Sequence, residues 1–201
     1  VLTDVCISQK GYLDLRLDAH GEGGHSSNPF GGTSLERLSV AISHLVESRP
    51  APELTPIVRD TFRALAPHIT EEPLRTLVQD VDANAEKIAS LAAARRGLYP
   101  FVVTTMAVDM LEGGSAAPNV MPGDASATIN YRLLPGTTAD DVLAWVEGAL
   151  DGTGVTATAV HYTPAGRMDS TSGAGYAEVS EALEHYYPDV DVVPSFVCGG
   201  T

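Results

Sequence analysis

A glycine-rich turn carries the first residue of this chain that could do chemistry, His25. The segment reads Gly23-Gly24-His25-Ser26-Ser27-Asn28-Pro29, and it connects an alternating segment to one of helical periodicity. Two consecutive glycines allow the backbone to turn sharply. A turn on a rigid support suits a catalytic or ligand-contacting imidazole. A histidine beside such a turn is also often a plain surface residue, so both interpretations stay open at this point.

Two further polar residues, Asn119 and Arg132, lie in a second group of motifs. Asn119 belongs to Pro118-Asn119-Val120-Met121-Pro122, and Arg132 to Tyr131-Arg132-Leu133-Leu134-Pro135-Gly136. Asn119 could simply form a turn, and Arg132 could face solvent or pair with a surface carboxylate. Because Arg132 lies far along a strand that begins just after Asn119, the spacing fits a site shared between two subunits at least as well as a site within one.

The sequence offers no metal site and no nucleophile motif. The other histidines are dispersed over different predicted elements, and no His-x-Asp, His-Glu-x-x-His or Cys-x-x-Cys pattern occurs. We interpret the adjacent acids Glu71 and Glu72, which precede Pro73, as the start of a helix rather than as a catalytic pair. We therefore predict that this chain binds no metal itself.

The composition excludes several classes of partner. The net charge is −14 with only two lysines, which argues against nucleic acid and anionic membrane surfaces. No segment approaches the roughly 18 apolar residues that a membrane helix needs. Cys6 and Cys198 lie near opposite ends and form no disulfide framework, so we expect a reducing compartment, the cytoplasm. Since the chain starts at Val1 and stops inside a glycine turn, we expect both ends to be cuts in a longer protein.

The pattern of apolar residues gives the order of elements that must position these groups. Alternation predicts strands over residues 11–20, 101–111, 124–134 and 154–163, and helical spacing predicts helices over 33–48 and from 137 onward. The order strand, helix, strand, strand, helix, strand predicts an α+β fold of the ferredoxin-like split β-α-β type, with two helices on one face of a four-stranded antiparallel sheet. The residues predicted to be buried are Tyr12, Leu13, Leu15, Leu17 and Ala19 on the first strand, and Leu35, Leu38, Ile42, Leu45 and Val46 on the first helix.

Two segments lie outside this pattern. Residues 51–97 contain short helical stretches separated by prolines, so we interpret them as a helical insertion between the first helix and the second strand. Residues 172–187 form a predicted helix, and an apolar run from Val190 to Val197 ends in glycines. A helix that leads into such a run indicates the first part of a neighbouring α/β layer.

Taken together, these motifs resemble the lid, or dimerisation, domain of the zinc-dependent aminoacylase/carboxypeptidase/dipeptidase enzymes. The resemblance is carried by Gly24-His25-Ser26-Ser27-x-Pro29, Asn119-Val120-x-Pro122 and Arg132-Leu133-Leu134-Pro135-Gly136, in this order. The flanking Lys10-Gly11 and Gly199-Gly200-Thr201 are similar to the carboxypeptidase-S-like branch. The resemblance covers roughly residues 8–201, and the insertion is its least typical part.

The resemblance implies a division of labour. Residues 1–8 would end one part of a catalytic domain, residues 9–168 would form the lid, and residues 169–201 would begin the returning catalytic domain. That domain would hold two zinc ions outside this chain, and the chain alone would be inactive. The lid would form a homodimer and reach the partner's active site, where a small peptide or N-acyl amino acid binds.

The resemblance also implies roles for the three site residues. His25 would donate a hydrogen bond to the developing oxyanion, a role that requires a preorganised donor. Asn119 and Arg132 would bind the substrate's free carboxylate, which a guanidinium and an amide donor hold well. The alternative is a ferredoxin-like regulatory or oligomerisation module without catalysis, because this arrangement hosts many functions. Neither His25 nor Arg132 would then act on a substrate.

Overall fold

A computed structural model describes residues 1–167 and 171–199 of the chain. The strands are β1 Leu2–Gln9, β2 Gly11–His20, β3 Gly24–His25, β4 Thr105–Gly113, β5 Val120–Met121, β6 Asp124–Leu133, β7 Val155–Thr163 and β8 Asp191–Val197. The α-helices are α1 Ser34–Glu47, α2 Pro56–Leu65, α3 Leu74–Leu77, α4 Ala85–Ala93, α5 Tyr99–Val102, α6 Ala139–Leu150 and α7 Ala174–Tyr186. None of the helices within these ranges is long and apolar enough to cross a membrane.

The predicted four-stranded antiparallel sheet is confirmed. Its strands lie in the order β4-β6-β2-β7, and every neighbouring pair is antiparallel. Helices α1 and α6 pack on one face, so the fold is the ferredoxin-like arrangement that the order of elements predicts. Thr33 caps α1 and Thr138 caps α6, each in a capping box that satisfies backbone N–H groups of the first turn.

The sheet has an apolar face toward the helices and a polar face away from them. On β2, Leu13, Leu15 and Leu17 are fully buried beneath α1 and α6. The prediction that Tyr12 joins this buried face is wrong. Neighbouring residues of a strand point to opposite faces, and Leu13, the residue next to Tyr12, faces the core. Tyr12 lies instead on the polar face, where it is half-buried.

Helix α1 buries a narrower stripe than predicted. Leu38 and Leu45 lie in the core together with Ala41, whereas Leu35 and Val46 are exposed, which contradicts their predicted burial. Helix α1 packs on the two central strands, β2 and β6. Leu35 reaches past the covered area, and a Cβ added at Gly113, the last residue of β4, would lie 3.2 Å from its Cδ2 atom.

The strand predicted over residues 101–111 begins later, at Thr105. Phe101 and Val102 belong to α5, so the start of that prediction is wrong. Tertiary packing explains the difference. The Phe101 ring contacts Phe196 of β8 edge-on at 5.4 Å between centroids, and Val102 is buried in a second apolar core. A short apolar run does not by itself distinguish a strand from a buried helical turn.

The second core lies between helices α2 to α5 and a separate two-stranded sheet. In that sheet β1 pairs with β8 in parallel, which brings the two ends of the chain together. Helix α2 packs on β8, and the Thr61 hydroxyl donates to the carbonyl of Pro194 at 2.6 Å. The segment that we interpret as an insertion therefore packs on the parallel pair rather than on the four-stranded sheet.

Lys10 connects these two parts of the molecule. It stands between β1 and β2, it is buried, and its Nζ donates to the carbonyls of Pro100 at 2.9 Å and Val103 at 2.7 Å. Its backbone N–H donates to the carbonyl of Val197. Burial lowers the pKa of Lys10 to about 8, so the ammonium form still predominates at neutral pH. Each of the two carbonyls thus accepts a hydrogen bond from this one side chain.

We expect Lys10→Met to destabilise the chain by about 1–3 kcal/mol, because it leaves two poorly hydrated carbonyls without this donor. Urea unfolding at pH 7 measures the loss. The matched control is Lys87→Met, since Lys87 is the other lysine and is exposed. Its effect should stay within about 0.5 kcal/mol. Equal unfolding free energies for the two variants would contradict the structural role of Lys10.

Candidate functional site

A short antiparallel ribbon brings two of the three predicted site residues together. Strand β3 pairs with β5, so that His25 lies opposite Val120 and Gly24 opposite Met121. The backbone N–H of Ser26 donates to the carbonyl of Asn119 at 2.9 Å. A Cβ at Gly23, at the base of the ribbon, would lie 3.3 Å from the Met121 carbonyl oxygen, a tight contact that favours glycine there. His25 and Asn119 therefore share one exposed end of the molecule.

The His25 ring is oriented by its own loop. Its Nδ1 accepts a hydrogen bond from the backbone N–H of Ser27 at 3.2 Å and lies 2.8 Å from the Ser27 hydroxyl oxygen. A backbone N–H can only donate, so Nδ1 must be the unprotonated nitrogen in this arrangement. The neutral ring then carries its hydrogen on Nε2. The exposed imidazole is thus prepared to donate a hydrogen bond from Nε2, and the sequence pattern alone did not identify Ser27 as the residue that sets this state.

The Asn119 loop is held from within. The Ser115 hydroxyl lies 2.7 Å from the carbonyl oxygen of Ala117 and 2.5 Å from that of Val120. Asn119, which lies between these two acceptors, is exposed. Its side chain therefore stands on a tethered loop beside the His25 strand, which suits a donor or acceptor toward another molecule.

Arg132 lies at the other end of the four-stranded sheet. The ribbon is attached where β2 ends and β6 begins, and Arg132 is eight residues further along β6 than Asp124, about 27 Å of extended strand. Its guanidinium carbon lies 4.6 Å from the centroid of the Tyr12 ring, on the polar face of the sheet. The fold therefore does not bring Arg132 together with His25 and Asn119 within one copy of the chain.

No metal centre accompanies these residues. In the parts of the chain that the structure describes, no three His, Cys, Asp or Glu side chains lie close enough together to hold a metal ion. Glu71 and Glu72 make ion pairs with Arg95 at 3.1 Å and Arg75 at 2.7 Å. Hydrogen bonds from Thr76 and then from Arg75 lower the pKa of Glu72. The acidic pair thus has structural partners next to α3, in agreement with its interpretation as the start of a helix.

Three histidines outside the ribbon have polar partners of their own. His20 contacts Asp124 at 2.7 Å, His68 contacts Asp191 at 3.3 Å, and His44 contacts the carbonyl of Ala149 at 3.1 Å. Cys6 and Cys198 are both free thiols. Burial raises the pKa of Cys198 to about 11, which keeps that thiol protonated at neutral pH. The His20–Asp124 pair lies at the base of the ribbon, where β2 ends and β6 begins, and the other groups belong to other elements.

The orientation of the His25 ring gives a testable prediction. In alkaline solution, long-range ¹H–¹⁵N correlation spectra should show Nε2 protonated and Nδ1 unprotonated, because the Ser27 backbone donates to Nδ1. Ser27→Ala should increase the share of the other tautomer, since only the backbone donor remains. His44 in the same spectra serves as the internal reference. A His25 ring protonated on Nδ1 would contradict this account.

A comparison with known proteins identifies the family of this chain. The model of the peptidase dimerisation domain family matches residues 7–157. That range contains the ribbon, β2, β4 and β6 of the four-stranded sheet with the first three residues of β7, and all three predicted site residues. The helices between α1 and β4 also lie within it.

Two relatives align over nearly the whole chain. The probable carboxypeptidase S-like 2 of Dictyostelium discoideum is 28% identical over 204 residues, which cover 100% of this chain and 38% of that protein. The N-fatty-acyl-amino acid synthase/hydrolase PM20D1 of Mus musculus is 29% identical over 199 residues, which cover 96% of this chain and 39% of that protein. The chain thus spans about two fifths of the length of each relative.

A solved structure shares the fold. The M20 family metallo-carboxypeptidase Sso-CP2 from Sulfolobus solfataricus superposes with a TM-score of 0.59 and 20% sequence identity. The match covers 98% of this chain and 54% of that chain. At this identity the likeness concerns the arrangement of strands and helices.

Proposed function

We propose that this chain, which belongs to the peptidase dimerisation domain family, is the lid of a zinc-dependent exopeptidase or N-acyl-amino-acid amidohydrolase. The observation that carries the proposal is the separation of two prepared contact groups. His25 and Asn119 stand together on the ribbon, and Arg132 stands about 27 Å of strand away. A small substrate cannot reach both ends of one lid, so an active site that uses all three residues draws on two subunits.

The boundaries of the lid are part of this proposal. Residues 9–168 would form it, with the helical insertion at 51–97, while residues 1–8 and 169–201 would belong to a catalytic domain. The parallel pairing of β1 with β8 supports this division, because parallel pairs are typical of α/β layers covered by helices. The names of the relatives support an amide-hydrolysing activity for the full-length protein.

The metal would be held outside this chain. Residues 1–167 and 171–199 contain no cluster of side chains that could hold a metal ion. The side chains of this chain would contribute substrate contacts. The lid by itself would be inactive, because a hydrogen-bond donor without an attacking group does not cleave an amide.

His25 would act on the carbonyl oxygen of the scissile amide. As the tetrahedral intermediate forms, negative charge develops on that oxygen, and a donor already oriented toward it needs little reorganisation. The Ser27 contacts at Nδ1 support this role because they leave Nε2–H as the outward donor. Asn119 and Arg132 would bind the free carboxylate of the substrate, with the guanidinium as the charged partner.

The dimer contact would use β4 and α1. Strand β4 is an edge of the four-stranded sheet, and Leu111 on it is 67% exposed although it pairs with Ala127 of the buried face. Leu35 of α1 lies beside the end of the same strand and is 39% exposed. Pairing two such edges would cover these side chains and satisfy the free backbone groups of β4.

Mixing variants in the full-length enzyme tests whether two subunits share the site. Alone, His25→Ala should lower turnover on the order of 100- to 1000-fold, with metal content unchanged. Arg132→Ala should mainly raise KM for substrates with a free carboxylate. Co-refolded in equal amounts and compared by kcat/KM at low concentration of a carboxylate substrate, the two variants should recover about a quarter of the wild-type value, because half of the dimers are mixed and each mixed dimer contains one intact site.

The outcome separates the two arrangements. If His25 and Arg132 of one site come from the same subunit, every site in the mixed dimer lacks one of them and no activity returns. A dimer that carries both substitutions in one subunit and none in the other is the matched control. Unchanged turnover in His25→Ala would favour the alternative, a regulatory or oligomerisation module without catalysis.

The dimer contact has its own test. Leu111→Lys in the full-length protein should weaken the dimer at least about 10-fold in Kd, because a charge at the contact costs 1.4 kcal/mol or more. Sedimentation velocity measures the change. Val160→Lys is the control, since Val160 is 63% exposed on β7, the opposite edge. Dissociation caused by the Val160 variant instead would assign the contact to the β7 edge.

A further inference from the structure

We infer that Tyr12 is a positioning residue for Arg132. The Tyr12 ring holds the guanidinium in place, so that the guanidinium is already oriented when it meets a substrate carboxylate. The inference rests on the proposed carboxylate-binding role of Arg132. It adds a specificity-determining residue that the motifs did not indicate, because a strand tyrosine carries no signature of such a role.

The two residues are direct cross-strand neighbours. Tyr12 of β2 lies opposite Arg132 of β6 in the antiparallel register, so both side chains rise from the same face of the sheet. The distance of 4.6 Å from the guanidinium carbon to the ring centroid is well within the range of about 6 Å for cation–π attraction. Thr105 of β4, a small residue, is the neighbour of Arg132 on the other side.

The ring is itself held in place by further contacts. The Tyr12 hydroxyl donates to one carboxylate oxygen of Asp14 at 2.9 Å, and the side-chain amide of Asn130 donates to the other at 2.8 Å. Asp14 therefore ties β2 to β6 next to the stacked pair. The ring of His161 on β7 packs edge-on against Tyr12 at 5.4 Å. The tyrosine thus has little freedom to swing away from the arginine.

These contacts lie outside the apolar core. The core beneath this part of the sheet is formed by Leu13 and Leu15, which point to the helices. Tyr12, Asp14 and Asn130 are half-buried on the polar face, where a cross-strand pair contributes little to stability. An arginine has many rotamers, and fixing it before the substrate arrives lowers the entropic cost of binding.

The experiment compares Tyr12→Leu, Tyr12→Phe and Arg132→Ala in the full-length enzyme. The probes are an N-acyl-leucine substrate and its carboxamide, which lacks the carboxylate. We expect Tyr12→Leu to raise KM for the acid about 2- to 5-fold, the range of a cation–π contact, and to leave KM for the amide unchanged. Tyr12→Phe keeps the ring but loses the Asp14 tether, so its effect should be smaller.

A double variant identifies the route of the effect. If Tyr12 acts through the arginine, Tyr12→Leu should cause no further rise in KM in the Arg132→Ala background. A plain structural role predicts equal effects on acid and amide, and an additive effect in the double variant. Tyr162→Leu is the matched control, because Tyr162 is an exposed tyrosine of β7 whose register partner is Leu13 of the opposite face.

The outcomes distinguish this inference from the proposal on which it rests. If Arg132→Ala raises KM for the acid only and Tyr12→Leu does not, the positioning role of Tyr12 is overturned and the carboxylate-binding role of Arg132 stands. Equal effects of Arg132→Ala on acid and amide overturn the carboxylate-binding role, and the positioning role with it. If both variants affect the acid selectively and their effects are not additive, the positioning role and the carboxylate-binding role are both supported.

Discussion

The antiparallel pairing of β2 with β6 is the interaction on which the rest of the structure depends. Ten residues of β2 pair without interruption with ten of β6. Because side chains alternate along a strand, this register fixes which residues meet the helices and which lie on the polar face. A shift of β2 by one residue would turn Leu13 and Leu15 toward solvent, place Tyr12 under the helices and separate it from Arg132. The core and the proposed carboxylate site thus share one constraint.

The same pairing determines where chemistry is available. At the end where β2 stops and β6 starts, the chain leaves the sheet and forms the ribbon that carries His25 and Asn119. At the other end, the register brings Tyr12 under Arg132. A rigid sheet between two contact groups holds them at a constant separation. That separation is too long for one small substrate, so the proposed function requires a second subunit to complete the site.

The second core shows how the four-stranded sheet is joined to the parallel pair. Of the chain's two lysines Lys10 is the buried one, and its ammonium bonds to one carbonyl within α5 and to one between α5 and β4. The buried charge is tolerated there because two of its N–H donors bond to these carbonyls. Its backbone N–H bonds to Val197 of β8, so this one residue connects the parallel pair with the segment that leads into β4. Sequence patterns gave no sign of this role, since an isolated lysine has no periodicity.

The sequence by itself determined the order of strands and helices, the apolar face of β2 and β6, and the turn that presents His25. These follow from local patterns: alternation of two, helical spacing, glycine pairs and capping residues. Only the tertiary structure decided that Phe101 and Val102 form a helix, that Leu35 lies exposed, and that Tyr12 stacks on Arg132. It also decided that Ser27 sets the tautomer of His25 and that Arg132 lies far from the ribbon. Apart from the Ser27 contact, which lies within one loop, each of these depends on which strand or helix lies beside a residue, and residues distant in sequence supply that neighbour.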